Sequence, residues 1–192
     1  MSRITKIVLV CEGWRDSVFS RGFLEEAGVD RRSIDPRVNP GGSGHDWVKT
    51  EFVEEVANLQ RFSEGRGVLG MIDEDGKGVT AREREVLDRL RAHGLDPIKA
   101  NDGRCLLLPT RNIETWLYWL KAKRSGETLF VSETTDYKST PPAGVTRLVN
   151  SDCRPAGTYL HSLDHRQPPQ GCPPMLVKAL EQLREFINAV RR

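Results

Sequence analysis

The chain has no long hydrophobic run, no paired-cysteine motif and no surplus of charge of either sign. Residues 1–6 precede an apolar run of only five residues, Ile7–Cys11. No signal-peptide pattern opens the sequence, and no segment approaches the length of a membrane span. The four cysteines, Cys11, Cys105, Cys153 and Cys172, form no CxxC pair, and together with the missing signal pattern they predict a reducing, cytoplasmic setting. Lys and Arg number 29 against 27 Asp and Glu, a formal charge of +2. A protein that grips duplex nucleic acid mainly by electrostatics is usually more basic, so any such contact must come from a local patch or a partner. With 192 residues, 29% charged and 38% hydrophobic, the chain reads as one α/β-sized domain, with or without an appended subdomain, and not as a disordered one.

Two short apolar runs each end in acid. Ile7-Val8-Leu9-Val10-Cys11 leads into Glu12-Gly13, and Val68-Leu69-Gly70-Met71-Ile72 leads into Asp73-Glu74-Asp75-Gly76. Nearly continuous apolar runs of this length predict strands covered on both faces. In an open α/β sheet, ligands bind beyond the carboxyl ends of the strands. The chemistry therefore depends on whether the two tips are neighbours.

Further elements follow from periodicity and punctuation. The pattern predicts a strand over 4–11, a helix from about Asp16 to the stop at Gly28, a strand over 34–38, a glycine turn at 41–44, and a helix through Trp47, Val48, Phe52, Val56 and Leu59. A third strand covers 67–72, and Thr80 with Glu83 reads as a capping box opening a helix to about Ala92. Residues 97–100 and 105–108 read as a further strand or hairpin, and Asn112 as the cap of a helix through Ile113, Trp116, Leu117 and Leu120. The β-α order implies a mostly parallel sheet with helices on both faces and right-handed crossovers. From Ser125 to Pro174 the chain holds most of its eleven prolines, and reads as an irregular excursion. Met175, Leu176, Ala179, Leu180, Leu183, Phe186, Ile187 and Val190 then form one stripe of an amphipathic helix, packed on the sheet or, if exposed, a partner site.

Glu12, Asp73 and Asp75 are hard oxygen donors suited to Mg²⁺ or Mn²⁺, which bind through one or two carboxylates plus substrate phosphate. In extended backbone, residues two apart point the same way, so Asp73 and Asp75 are expected to share a centre. Taken singly, each acid could simply finish a strand or cap a helix; three at strand ends favour function.

These motifs resemble the TOPRIM domain, defined by a strand-Glu-Gly and a later strand-Asp-x-Asp, here IVLVCEG and GVLGMIDEDG. Asp16 and the segment Pro109–Leu117 are closer to OLD-type nucleases and small related defence proteins than to topoisomerases or primases. The resemblance covers roughly residues 4–120. It implies a catalytic domain over 1–124 with a Rossmann-like sheet, and a C-terminal extension over 125–192. It further implies a Mg²⁺-dependent endonuclease acting on nucleic acid, DNA ahead of RNA, in antiviral defence. In such two-metal sites, ions about 4 Å apart activate the attacking water and stabilise the leaving oxygen. By position, Glu12, Asp73 and Asp75 would hold the first metal, and Asp16 and Glu114 are candidates for the second. Asp16 could equally cap its helix, and Glu114 could complement a helix dipole. The resemblance also implies a charge-stabilising lysine from the later part of the fold, for which Lys138 is the better candidate and Lys178 the poorer, although nothing local to either singles it out. OLD-type nucleases carry an ATPase region; Val48 breaks the P-loop pattern in residues 41–50, so an ATPase would come from a partner chain. A non-catalytic binding or regulatory subunit is the alternative.

Asp73-Glu74-Asp75-Gly76 also resembles the opening motif of haloacid-dehalogenase-type phosphatases, but that motif belongs after the first strand and a hydroxyl residue follows its glycine, where Lys77 stands here. An EF-hand fails because Arg84 occupies the twelfth position. Cys153, His161, His165 and Cys172 could be drawn as a zinc site, at no recognised spacing. The Gly41–Gly44 loop reads as a turn before it reads as a phosphate cradle, and Trp116 and Trp119 read as helix core before base platforms.

Overall fold

The computed structural model describes residues 6–61 and 66–191. Strands β1 (Lys6–Cys11), β2 (Ile34–Val38), β3 (Arg66–Met71) and β4 (Arg104–Leu107) form one parallel sheet in the order β2-β1-β3-β4. Ile4 and Thr5, expected in the first strand, lie outside the described residues. Along β1, Ile7, Leu9 and Cys11 join one apolar layer while Val8 and Val10 join the other. The first layer is built from α1 (Trp14–Glu26), α4 (Ile113–Arg124), α5 (Asn150–Ser162) and α6 (Pro174–Val190). The second is built from α2 (Gly44–Arg61) and α3 (Val79–Ala92). With both faces covered, the central strands β1 and β3 have almost no polar side to show, which is why they read as apolar runs, whereas edge strand β2 carries Asp35 and Arg37. The fold is thus α/β, a four-stranded parallel sheet flanked by helices and consistent with a Rossmann-like arrangement. Among the described residues, no helix is long and apolar enough to cross a membrane.

The α6 stripe is buried. Leu176, Ala179, Leu180, Leu183, Phe186, Ile187 and Val190 are all inside, each fully buried large side chain contributing about 1.5–3 kcal/mol. The face is satisfied by the sheet, and the alternative of an exposed partner stripe is removed.

Three local expectations are corrected. Residues 97–99 form no strand; a single 3₁₀ turn at Ala100–Asp102 and left-handed Gly103 lead directly into β4. A hairpin would need an antiparallel partner, whereas β4 enters parallel to β3. Helix α3 opens on Gly78 with no side-chain cap from Thr80; the Gly78 N–H donates instead to the Glu74 carboxylate. The stretch 125–174 is not wholly irregular, because α5 lies within it. Pro155 and Gly157 conceal this helix in the sequence, and its small residues serve close contact rather than a bulky stripe. A Cβ on Gly22 of α1 would fall 2.3 Å from the Arg154 carbonyl oxygen, and one on Gly157 would fall 2.0 Å from that of Phe19. The two helices therefore touch backbone to backbone.

Candidate functional site

Strands β1 and β3 are adjacent and in register, Cys11 opposite Met71, so the two acid-bearing tips are neighbours. Backbone N–H groups hold Glu12, Asp16 and Asp73 there. Glu12 Oε1 accepts from the Asp73 N–H at 3.1 Å. Asp16, buried in the first turn of α1, accepts from the Gly13 N–H through Oδ2 at 2.8 Å. Asp73 Oδ1 accepts from the Ile113 N–H at 3.0 Å, so a strand-end carboxylate caps α4, where its negative charge complements the helix dipole. Asn112, the expected cap, makes no such bond and donates its Nδ2 to Asp136 at 2.7 Å. Glu114 accepts through Oε1 from Arg15 Nη1 at 2.7 Å. Its Oε2 is buried without a protein partner among the described residues.

These elements enclose an open cleft of about 470 Å³ lined by Glu12, Asp16, Asp73, Glu114 and Lys138, with Trp14, Arg15, Arg147 and the Asn39–Gly44 turn on its walls. Helix α2 comes close: a Cβ on Gly44 would fall 2.8 Å from Glu12 Oε2, so a side chain there would push the Glu12 carboxylate aside. Lys138 arrives from the loop between α4 and α5. Asp136 bends that loop by accepting from the Lys138 N–H at 2.9 Å, and the Tyr137 hydroxyl accepts from the Ser132 N–H at 3.0 Å. The half-exposed Lys138 ammonium lies 3.2 Å from Asp73 Oδ2.

The electrostatics follow from crowding. Burial pushes the Glu12 carboxyl up to about 7, and the Asp75 charge adds to the rise. Burial also raises Asp16, with Glu12 and Glu114 repelling its charged form. Asp73 is raised by burial and by Asp16, against the pull of Lys138. Burial opposes charge on Lys138, yet the Asp73 carboxylate holds the ammonium above its ordinary value. Carboxylates driven toward protonation by burial and by one another form a site that gains from added positive charge.

The structure thus brings together Glu12, Asp16, Asp73, Glu114 and Lys138. Asp75 sits at the rim: exposed, in the left-handed region with φ 52°, its N–H donating to the Arg111 carbonyl at 3.1 Å. The expectation that Asp73 and Asp75 leave an extended strand side by side is corrected, because β3 ends at Met71 and a turn intervenes. Lys178, exposed on α6, does not line the cleft. The zinc grouping is not assembled: the His161 ring packs edge-on to Phe23 at 5.3 Å, His165 lies beside Arg184, and Cys153 is buried. Trp116 and Trp119 are fully buried.

Sequence reasoning passed over Glu74, Arg15, Arg147 and Trp14. Buried Glu74 has one oxygen toward Gly78 and the other accepting from the Arg111 N–H at 3.1 Å. Burial opposes its charge, but the surrounding N–H donors hold it below the ordinary value. It staples the loop that carries Asp73 and Asp75. Arg15 stands between Glu12 and Asp16 in the chain, the one local signal that could have drawn it in.

Among the described residues, no three His, Cys, Asp or Glu side chains are gathered closely enough to hold a metal ion as they stand. The acids line an open cleft rather than a cage. The donor set still fits a hard cation: all its ligating atoms are carboxylate oxygens, one of them a buried orphan, and Mg²⁺ keeps waters and shares its shell with substrate phosphate. Comparison with protein-family models, curated proteins and solved structures finds no match.

Proposed function

We propose that the cleft is the active site of a metal-dependent phosphodiesterase of TOPRIM type that hydrolyses nucleic acid, with antiviral defence and an ATPase partner as its setting. The observation that carries this reading is the convergence of Glu12, Asp16, Asp73 and Glu114 with Lys138 at the carboxyl edge of adjacent parallel strands. Glu12 and Asp73 would hold one Mg²⁺ or Mn²⁺ and Asp16 and Glu114 a second. A bound ion would make water a nucleophile at neutral pH and stabilise charge on the phosphoryl oxygens. The chain's own residues do the rest. The backbone N–H groups of Asp73, Gly13 and Ile113 fix the orientation of three carboxylates, so little reorganisation is needed when substrate arrives. Lys138 supplies a positive charge beside Asp73, placed to meet the negative charge of a phosphodiester. Burial raises the Glu12 carboxyl to about 7, and a bound cation would favour its ionised form, so metal binding would release a proton near neutral pH.

The test is cleavage of supercoiled plasmid, single-stranded DNA and structured RNA with Mg²⁺ or Mn²⁺, comparing wild type with Asp73→Asn and Glu12→Gln. The expected result is metal-dependent cleavage lost in both variants. Wild-type protein that binds Mg²⁺ yet cleaves nothing favours the second reading, a binding or regulatory subunit. One observation supports that alternative: Asp73 already spends one oxygen on α4 and the other on Lys138.

A further inference from the structure

Trp14 is 56% exposed, one of three large hydrophobic side chains left open among the described residues, with Phe130 and Val149. It is the first residue of α1 and lines the cleft two positions after Glu12. Nothing in the core explains its place, since the inward face of α1 is carried by Phe19, Phe23 and Leu24. The exposed indole leaves a large aromatic face open beside the cleft.

Its surroundings are cationic. Arg15, Arg147 and Lys138 share the cleft wall with it. Arg15 also ties this wall to the segment before α5, with Nη2 3.5 Å from the Leu148 carbonyl oxygen and Nε 3.5 Å from Asn150 Oδ1. Val149, another of the three exposed hydrophobics, lies between those two residues. The rim thus joins an aromatic face and positive groups above a floor of carboxylates.

We propose that Trp14 is a stacking platform for an unpaired base and makes the cleft selective for single-stranded nucleic acid or a frayed end. An indole face accepts a base only when that base is outside a duplex stack. Arg147 and Lys138 reach the adjoining phosphates, which places the neighbouring phosphodiester over Glu12 and Asp73. A cleft of about 470 Å³ belongs to the size class that encloses a small ligand, matching an unstacked nucleotide and its phosphate. The near-neutral charge of the chain fits a site that relies on stacking more than on tracking a duplex backbone.

The inference rests on the nucleic-acid reading of this cleft but is read out by binding. An end-labelled short single-stranded oligonucleotide, and the same sequence in a blunt duplex, are titrated with wild type, Trp14→Ala and Trp14→Phe in EDTA and in Ca²⁺, with fluorescence anisotropy as the readout. The single strand is expected to bind more tightly than the duplex. Trp14→Ala weakens single-strand binding about tenfold, the range for loss of one base stack, leaves the duplex unchanged, and is largely rescued by Trp14→Phe. Absence of wild-type binding, equal losses for both probes, or an unchanged Trp14→Ala affinity would overturn it. Binding that follows Trp14 in a protein without metal-dependent cleavage refutes the nuclease reading and leaves this one standing. Cleavage of single strands with KM unchanged in Trp14→Ala does the reverse.

Discussion

Replacing Glu12 by glutamine should stabilise the protein at alkaline pH and not at acid pH. Glutamine keeps the shape of Glu12 and an acceptor for the Asp73 N–H, but carries no charge. The Glu12 carboxyl rises from 4.5 to about 7 on folding, which at ~1.4 kcal/mol per pH unit corresponds to about 3 kcal/mol. Glu12 is only half-buried, and solvent screening trims this to about 2 kcal/mol. A raised carboxyl binds its proton more tightly in the folded state. Its contribution is therefore fully present below about 4.5 and is lost as pH rises through about 7. Burial lowers His45 and His161, which tilts stability the opposite way near pH 6, but that cancels in the difference between wild type and variant. In urea denaturation with EDTA, the two proteins should be equally stable near pH 4, below the unfolded-state value. Near pH 8 the variant should be more stable by about 2 kcal/mol, a melting temperature higher by roughly 4–8 °C for a chain of this size. Added Mg²⁺ should raise wild type at pH 8 and close the gap. A variant less stable than wild type at pH 8, or an identical difference at both pH values, would refute the claim that repulsion and burial strain this carboxylate.

Three other outcomes are expected. Gly157→Ala places a methyl group against the Phe19 carbonyl and should cost about 1–3 kcal/mol by forcing α5 off α1; unchanged stability would show that the helices can part freely. Lys138→Ala should lower metal-dependent cleavage about 100-fold while Lys138→Arg keeps part of the rate, and unaltered turnover in Lys138→Ala would remove Lys138 from the site. The buried thiols of Cys11 and Cys105 are pushed upward by burial, and Cys153 is also buried; an aromatic disulfide reagent should reach these three only on unfolding, with Cys172 reacting first. Early labelling of Cys11 would indicate that the β1 tip opens.

The strand-end acids were legible because burial on both faces makes β1 and β3 unbroken apolar runs, and the first charge after each run marks the tip. The amphipathic stripe of α6 was legible for the same reason: a wide apolar face has a period that survives any context. Helix α5 was not, because close approach to α1 selects Gly157 and other small residues, and these erase the bulky pattern that marks a helix. The α3 start was misread because the chain enters the helix on Gly78, whose N–H donates to Glu74 four residues back, and no Thr80 side chain caps it. Asp75 was misread because alternation holds only while backbone stays extended, and the turn begins before it.

By itself, the sequence determined the alternating α/β order, the two covered faces of the sheet and the identity of the acids at the strand ends, all consequences of local periodicity and short-range punctuation. Only the tertiary structure decided that β1 and β3 are neighbours, that Asp73 caps α4, that Glu114 and Asp16 share one cleft, and that Lys138 comes back across more than sixty residues of chain to face Asp73. These are contacts between distant segments. They are set by which faces can be buried together, and no window along the chain contains both partners.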